Sequence, residues 1–211
     1  MEPSPSAPTR QARRPRRPSA DGTRRALLDA GRIRFARKGY SRTAIQDILD
    51  DVGVTVPVLY HHFGSKHGLF VAVAEDVYGR FLADLRQSVE STTGFEQAIN
   101  AVLDAAQRIH ASDPSLASLT LTVQIEARRD EELARELRIV LQSFRGFTDE
   151  LAARAPAELI DKVDGRHLYR ALAVILNGLN SIADNTGPED FAATVDVVRH
   201  LLLEPLAGGE S

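Results

Sequence analysis

Three residues of the kind that begin helices, Thr43, Thr55 and Ser65, crowd into residues 43–65. Gly53 stands between the first two, and Pro57 follows the second. A glycine takes positive φ without a Cβ penalty and so suits a tight turn between helices. A proline in the first helical turn loses no hydrogen bond, because the N–H it lacks has no partner there anyway. The spacing therefore predicts two short helices joined by a turn, AIQDILDDV then VPVLYHHF, and a much longer helix from Ser65. Helix, glycine-containing turn, helix is the layout of a DNA-reading helix-turn-helix.

The rest of the chain is helical in pattern too. Before the turn, TRRALLDAGRIRFARKGY sets Leu27, Leu28, Gly31 and Phe35 at helical spacing until Gly39. Ile45, Ile48, Leu49 and Val52 supply the apolar face of the second helix. Beyond Ser65, breaks fall at Thr92–Gly94, Asp113-Pro114, Ala155-Pro156, Asp164-Gly165 and Gly187-Pro188. No segment alternates with the period of a strand. The expected fold is all-α, with about nine helices: an N-terminal three-helix unit joined through a long fourth helix to a helical remainder. Residues 1–20, rich in Pro, Ser and Arg, are expected to be a disordered tail; 21–66 form the helix-turn-helix domain, and 67–211 the larger domain.

Composition removes several chemistries. There is no cysteine, so disulfides, thiolate metal sites and cysteine nucleophiles are excluded. The N-terminus carries charge without the apolar core of a signal peptide, and no apolar run is long enough to span a bilayer; a cytoplasmic protein with no membrane partner is expected. The net charge of −3 hides an asymmetry. Residues 1–70 hold 13 Lys and Arg against 6 Asp and Glu, and residues 71–211 hold 13 against 23. Either the basic end meets a polyanion or it is a solvated tail; charge alone leaves both readings open.

Helical geometry sorts the faces of VPVLYHHF. At roughly 100° per residue, Val56, Pro57, Tyr60 and His61 share one arc and Val58, Leu59, His62 and Phe63 the other. Leu59 and Phe63 anchor inward. The outward arc makes a poor solvated face but suits a DNA groove, where apolar groups pack on thymine methyls and Tyr and His reach phosphates. His62 reads as a half-buried packing residue. The adjacent histidines point about 100° apart and cannot easily share one ion, so no metal is expected.

FARKGYSRTAIQDILDDVGVTVPVLYHHFGSKHGLF resembles the N-terminal DNA-binding region of the tetracycline-repressor (TetR) family of bacterial regulators. The likeness covers about residues 23–70. It rests on Phe35 and Gly39 before the second helix, on Gly53-Val54-Thr55, and on Leu59-Tyr60, Phe63, Ser65-Lys66 and Leu69-Phe70. Leu49 and Val52 depart from it, standing where the family usually has alanines. The resemblance implies that Thr43 and Lys66 hold backbone phosphates, that Tyr60 and His61 also touch the backbone, and that Thr55, Val56, Pro57 and Val58 lie nearest the bases. Arg42, beside Thr43, joins the DNA-binding candidates. Arg10, Arg13, Arg14, Arg16 and Arg17 of the tail are expected to add affinity more than sequence choice.

The larger half offers a dimer surface. Leu168, Leu172, Ile175, Leu179 and Ile182 form one stripe, with Ala173, Leu176 and Gly178 as a small-residue face beside it. Phe191, Val195, Val198 and Leu202, plus Val197 and Leu201, repeat the theme in the last helix. Between reader and dimer surface, polar residues sit among apolar ones, and the resemblance implies a small-molecule effector there: Asn100, Gln107, His110, Gln124, Asn177 and Asn180 are the candidate contacts. It further implies a homodimer on a palindromic operator of double-stranded DNA, most simply a repressor released by ligand as the fourth helix tilts. Phe70, Val73, Val77, Phe81 and Leu85 would carry that tilt. No cofactor is expected, and no GxSxG, HExxH, P-loop or GxGxxG signature points to an enzyme. A helical carrier would explain a pocket and a dimer, but not the outward arc beside a basic end.

Overall fold

A computed structural model describes residues 20–163 and 165–207. It is helical throughout, with no strand among the described residues. The first unit comprises α1 (Ala20–Arg42), α2 (Ile45–Val52) and α3 (Val56–Phe63). Gly39, at φ 74°, breaks α1 three residues before its end, and Gly53, at φ 71°, caps α2 by donating its N–H to the Leu49 carbonyl at 2.8 Å. Leu27, Leu28, Phe35, Ile48, Leu49 and Leu59 close this head around one small core.

The long helix α4 (Lys66–Val89) opens with Ser65, whose hydroxyl accepts the Gly68 N–H at 2.9 Å. Its buried stripe runs from Leu69 and Phe70 through Val73, Val77 and Phe81 to Leu85 and Val89. The early part packs on the head: the Phe70 ring meets Phe35 edge-on at 5.0 Å and Tyr40 at 4.8 Å. The later part packs on the core. One helix thus belongs to both bodies.

The core is built from α5 (Phe95–Ser112), α6 (Ser115–Arg129), α7 (Glu131–Glu136), α8 (Arg138–Ala152), α9 (Ala157–Lys162), α10 (Gly165–Ala183) and α11 (Pro188–Ala207). Eleven helices among the described residues replace the expected nine or so, and the excess has one cause. Every break with a glycine or proline falls where expected, but α6, α7 and α8 are divided at Asp130 and Leu137, which carry neither. Asp130 interrupts by accepting the N–H groups of Glu132 and Leu133 at 2.9 and 3.1 Å, an N-cap inside what reads as continuous helix.

The head is held to the core by α1 as well as α4. Arg25 reaches Asp76 of α4 at 2.8 Å. Arg32, largely buried, pairs with Asp113 at the α5–α6 corner and with the Ser115 hydroxyl. No described helix is long and apolar enough to cross a membrane. The arginines of residues 10–17 lie outside the described residues.

Candidate nucleic-acid interface and core cavities

The angular sorting of α3 holds. Leu59 is fully buried, Val58, His62 and Phe63 are half-buried, and Thr55, Val56, Pro57, Tyr60 and His61 are exposed. Tyr60 is 49 % exposed although it is aromatic, and Val56 43 % although aliphatic. Their neighbours explain why they stay out. Leu59 fills the head's core, and Arg24 lies over the Phe63 ring at 5.4 Å, fixing the inner face. The Thr55 side chain makes no cap bond, so its hydroxyl is free to face outward.

Thr43 needs a correction. The sequence made it the cap of α2 and a phosphate ligand; instead it is 2 % exposed and the N-cap position is Ala44. Its hydroxyl faces the carbonyls of Gly39 at 2.7 Å and Arg34 at 3.1 Å, pinning the kink in α1. One hydroxyl proton engaged inward leaves none for a phosphate.

Basic residues around the strip divide into paired and free. Arg34 chelates Asp51 through two bonds of 2.6 Å, and Lys38 meets Asp47 at 2.7 Å; these contacts hold both carboxyls below the usual carboxylate range. Arg42, exposed, donates to the Lys38 carbonyl at 3.1 Å. Lys66, the first residue of α4, sits 4.5 Å from the Tyr40 ring centre and 3.4 Å from the Ser41 carbonyl. Burial lowers its pKa, opposed by the charge of Glu126. Arg42 and Lys66 therefore flank the α1–α2 corner beside α3, with no carboxylate among the described residues bonded to either.

The six candidate ligand contacts fall in three places. Asn100 accepts from Arg199 at 2.6 Å, and Gln107 donates to the Ala192 carbonyl at 3.1 Å and to Asp196 at 3.2 Å. Both are engaged in tying α5 to α11, and neither lines either of the two cavities that the other four border. Gln124 and Asn177 hydrogen-bond to each other at 2.6 Å and line an open cavity of about 310 Å³ with Tyr78, Leu141 and Phe144. Burial pushes the Tyr78 phenol up to about 12. His110 and Asn180 line a separate cavity of about 20 Å³ with Phe81, Asp113, Thr120 and Phe191. Sequence reasoning missed Tyr78, Thr120 and Phe144 as wall residues. Tyr78 carries a sequence signal, because it is the one polar-tipped side chain in α4's buried stripe.

The apolar helices α10 and α11 each have two sides, as their patterns suggested, with a different division of labour. Leu172, Leu176, Leu179, Phe191 and Val195 are buried within the chain. Val174, 71 % exposed, Gly178 and Ile182 form the outer line of α10, and Val197 and Leu201 that of α11.

Residues 27–73 match the family model described as bacterial regulatory proteins, tetR family. The HTH-type transcriptional activator FasR of Mycolicibacterium smegmatis is 36 % identical over 93 residues, 44 % of this chain. That match spans only 42 % of FasR's own length. The HTH-type transcriptional regulator BetI of Rhizobium meliloti is 25 % identical over 157 residues, 74 % of this chain and 75 % of that protein. The solved structure of the fatty acid degradation regulator FadR from Bacillus halodurans shares the fold, with a TM-score of 0.69 at 23 % identity over 86 % of this chain and 94 % of that one. The matched segment contains the whole of α2 and α3 and the outward strip between Thr55 and His61. Residues 27–73 therefore belong to the tetR family of bacterial regulatory proteins, and the helices behind them share the fold of the solved regulator.

Proposed function

We propose that this chain is a ligand-responsive transcriptional repressor that binds a palindromic operator as a homodimer and is released by a small molecule. The observation that carries the proposal is the α3 strip: five consecutive-turn residues, Thr55, Val56, Pro57, Tyr60 and His61, left exposed over a fully buried Leu59. In this reading residues 21–66 read DNA, with the N-terminal end of α3 toward base edges. Tyr60, His61, Arg42 and Lys66 hold phosphates on either side. Thr43 contributes through the α2 terminus it braces, where exposed N–H groups and the helix dipole favour an anion.

A reading head this small covers few base pairs, so two copies must act together with their recognition helices about one DNA turn apart, roughly 34–36 Å. The outer lines of α10 and α11 are the surface offered for that pairing, giving a four-helix contact between twins. Residues 67–211 then serve as the effector-binding and dimerising part. Effector binding changes operator affinity only through its different affinity for the two positions of α4.

A salt-titrated gel shift with the chain's own upstream DNA tests the reading. Saturable binding of a palindromic fragment at two chains per site, well above random DNA, is the expected result. Equal retention of random DNA at every salt concentration refutes it.

A further inference from the structure

The two core cavities lie end to end. Both are walled by α4, α6 and α10, at positions one helical turn apart: Tyr78 then Phe81, Gln124 then Thr120, Asn177 then Asn180. One turn is about 5.4 Å along each helix. Where the two spaces adjoin, the Gln124–Asn177 hydrogen bond crosses from α6 to α10, and the Tyr78 hydroxyl points at the Thr120 carbonyl from 3.4 Å. The open outer space is lined by Ala127, Ala134, Leu141 and Phe144, with the exposed Arg128 beside them, and takes an apolar body. The closed inner space holds an unusual group. His110 is 5 % exposed, its ring lies tilted against Phe191 with the centres 4.5 Å apart, and neither ring nitrogen has a hydrogen-bond partner among the described residues. A buried imidazole in that condition loses the hydration of both nitrogens with nothing in return, which costs stability unless something else fills the role.

We infer that the two cavities form one gated site for an elongated, mainly apolar molecule ending in a small uncharged polar group, a hydroxyl or a carbonyl, that hydrogen-bonds His110. The inference rests on the effector-binding reading above. Size and charge choose the end group. The inner space, about 20 Å³, accommodates one water-sized group, so an alcohol oxygen fits and a carboxylate does not. Its charged wall residue is Asp113, an anion already answered by Arg32, so an anionic end meets repulsion and a cationic end competes with that pair. Entry requires the Gln124–Asn177 bond to open; the two amides then line the shaft. The inner end is also the sensitive end. Asp113 is at once a wall of the inner space and the anchor of Arg32 on α1, so a group seated at His110 presses on the tie between core and reading head.

The test uses the full chain with four probes of equal length: octan-1-ol, octanoate, octylamine and octane. Octan-1-ol should bind most tightly, about tenfold better than either charged probe, the worth of one buried hydrogen bond. His110→Phe, which keeps a ring and removes both nitrogens, should bring octan-1-ol down to the level of octane. Equal affinities for all four, or an octan-1-ol affinity unchanged in the variant, would overturn the inference. In the wild type, histidine-nitrogen NMR gives the same answer without a substitution: octan-1-ol should move the His110 ring resonances, and no movement at saturation sinks the site. Gel shifts in the same titrations separate the two claims. Failure of His110-dependent binding while the operator is still bound removes this site alone. Octan-1-ol seated at His110 with operator affinity unchanged confirms the site and refutes release by effector.

Discussion

Two apolar strips face outward on this molecule, and they differ in kind. The strip on α3 is short, mixes Val56 and Pro57 with Tyr60 and His61, lies at a helix N-terminus, and is flanked by Arg42 and Lys66. The strip on α10 and α11 is aliphatic and long, with Val174, Ile182, Val197 and Leu201 spaced along two adjacent helices. Phosphate and base edges need donors beside apolar surface; a second protein surface needs area and shape. Exposure alone would group the two strips together, while the polar groups between the apolar ones assign them to different partners.

The largest effect should come from undercutting the first strip rather than cutting it. Leu59→Ala empties the buried anchor beneath α3 and should cost about 2–5 kcal/mol of stability, measured by denaturant unfolding. Tyr60→Ala, one residue on, should leave stability within about 0.5 kcal/mol while weakening operator binding. If the two substitutions destabilised alike, the division of α3 into an inner and an outer face would be mistaken.

Next comes the second strip. Val174→Asp places a charge in the centre of the outer α10 line and should raise the dimer dissociation constant by about 10–100-fold, read by sedimentation. Operator affinity should fall with it, although Val174 is on a helix of the core. A dimer unaffected by that charge would move the interface elsewhere.

Smaller again is Lys66→Met. It keeps a long stem over Tyr40 and removes one cation, so operator affinity should drop similarly for all sequences and the salt slope should decrease by about one. A change in sequence preference would place Lys66 at a base instead. The smallest effect is acid loosening of the head. Asp47 and Asp51 titrate below their ordinary value because Lys38 and Arg34 stabilise the carboxylates. That contribution is present above the unfolded-state value, 3.8, and is lost as pH falls through the lower folded-state value. Amide protection factors at the α1–α2 corner, taken against the intrinsic exchange rate at each pH, should therefore fall below about pH 4, and Asp51→Asn should remove part of that dependence.

The head was largely legible because its instructions are local. Gly53, Pro57 and Ser65 each act within four residues, and the inner and outer faces of α3 follow from helical spacing alone. Thr43 misled for the same reason: a threonine hydroxyl at a helix junction can cap forward or bond backward to a carbonyl, and only the packed α1 carbonyls decide between them. The core was less legible because its decisive contacts are remote. Asn100 and Gln107 look like His110 and Asn180 in sequence, yet the first two hydrogen-bond to partners on α11 some 85–99 residues away, while His110 has no hydrogen-bond partner among the described residues. The breaks at Asp130 and Leu137 carry no glycine or proline, and the Asp130 cap is lost to the eye within a run of charged residues.

The shared burial of α4 has a practical side. Since Phe70 locks into Phe35 and Tyr40 while Phe81 and Leu85 sit in the core, the chain has no seam at which a reading unit can be lifted off and exchanged. A chimera joined at residue 66 would set foreign aromatic partners against Phe70 and change the pitch of the lever. Re-targeting this scaffold to new DNA is therefore best done by rewriting the outer face of α3 in place.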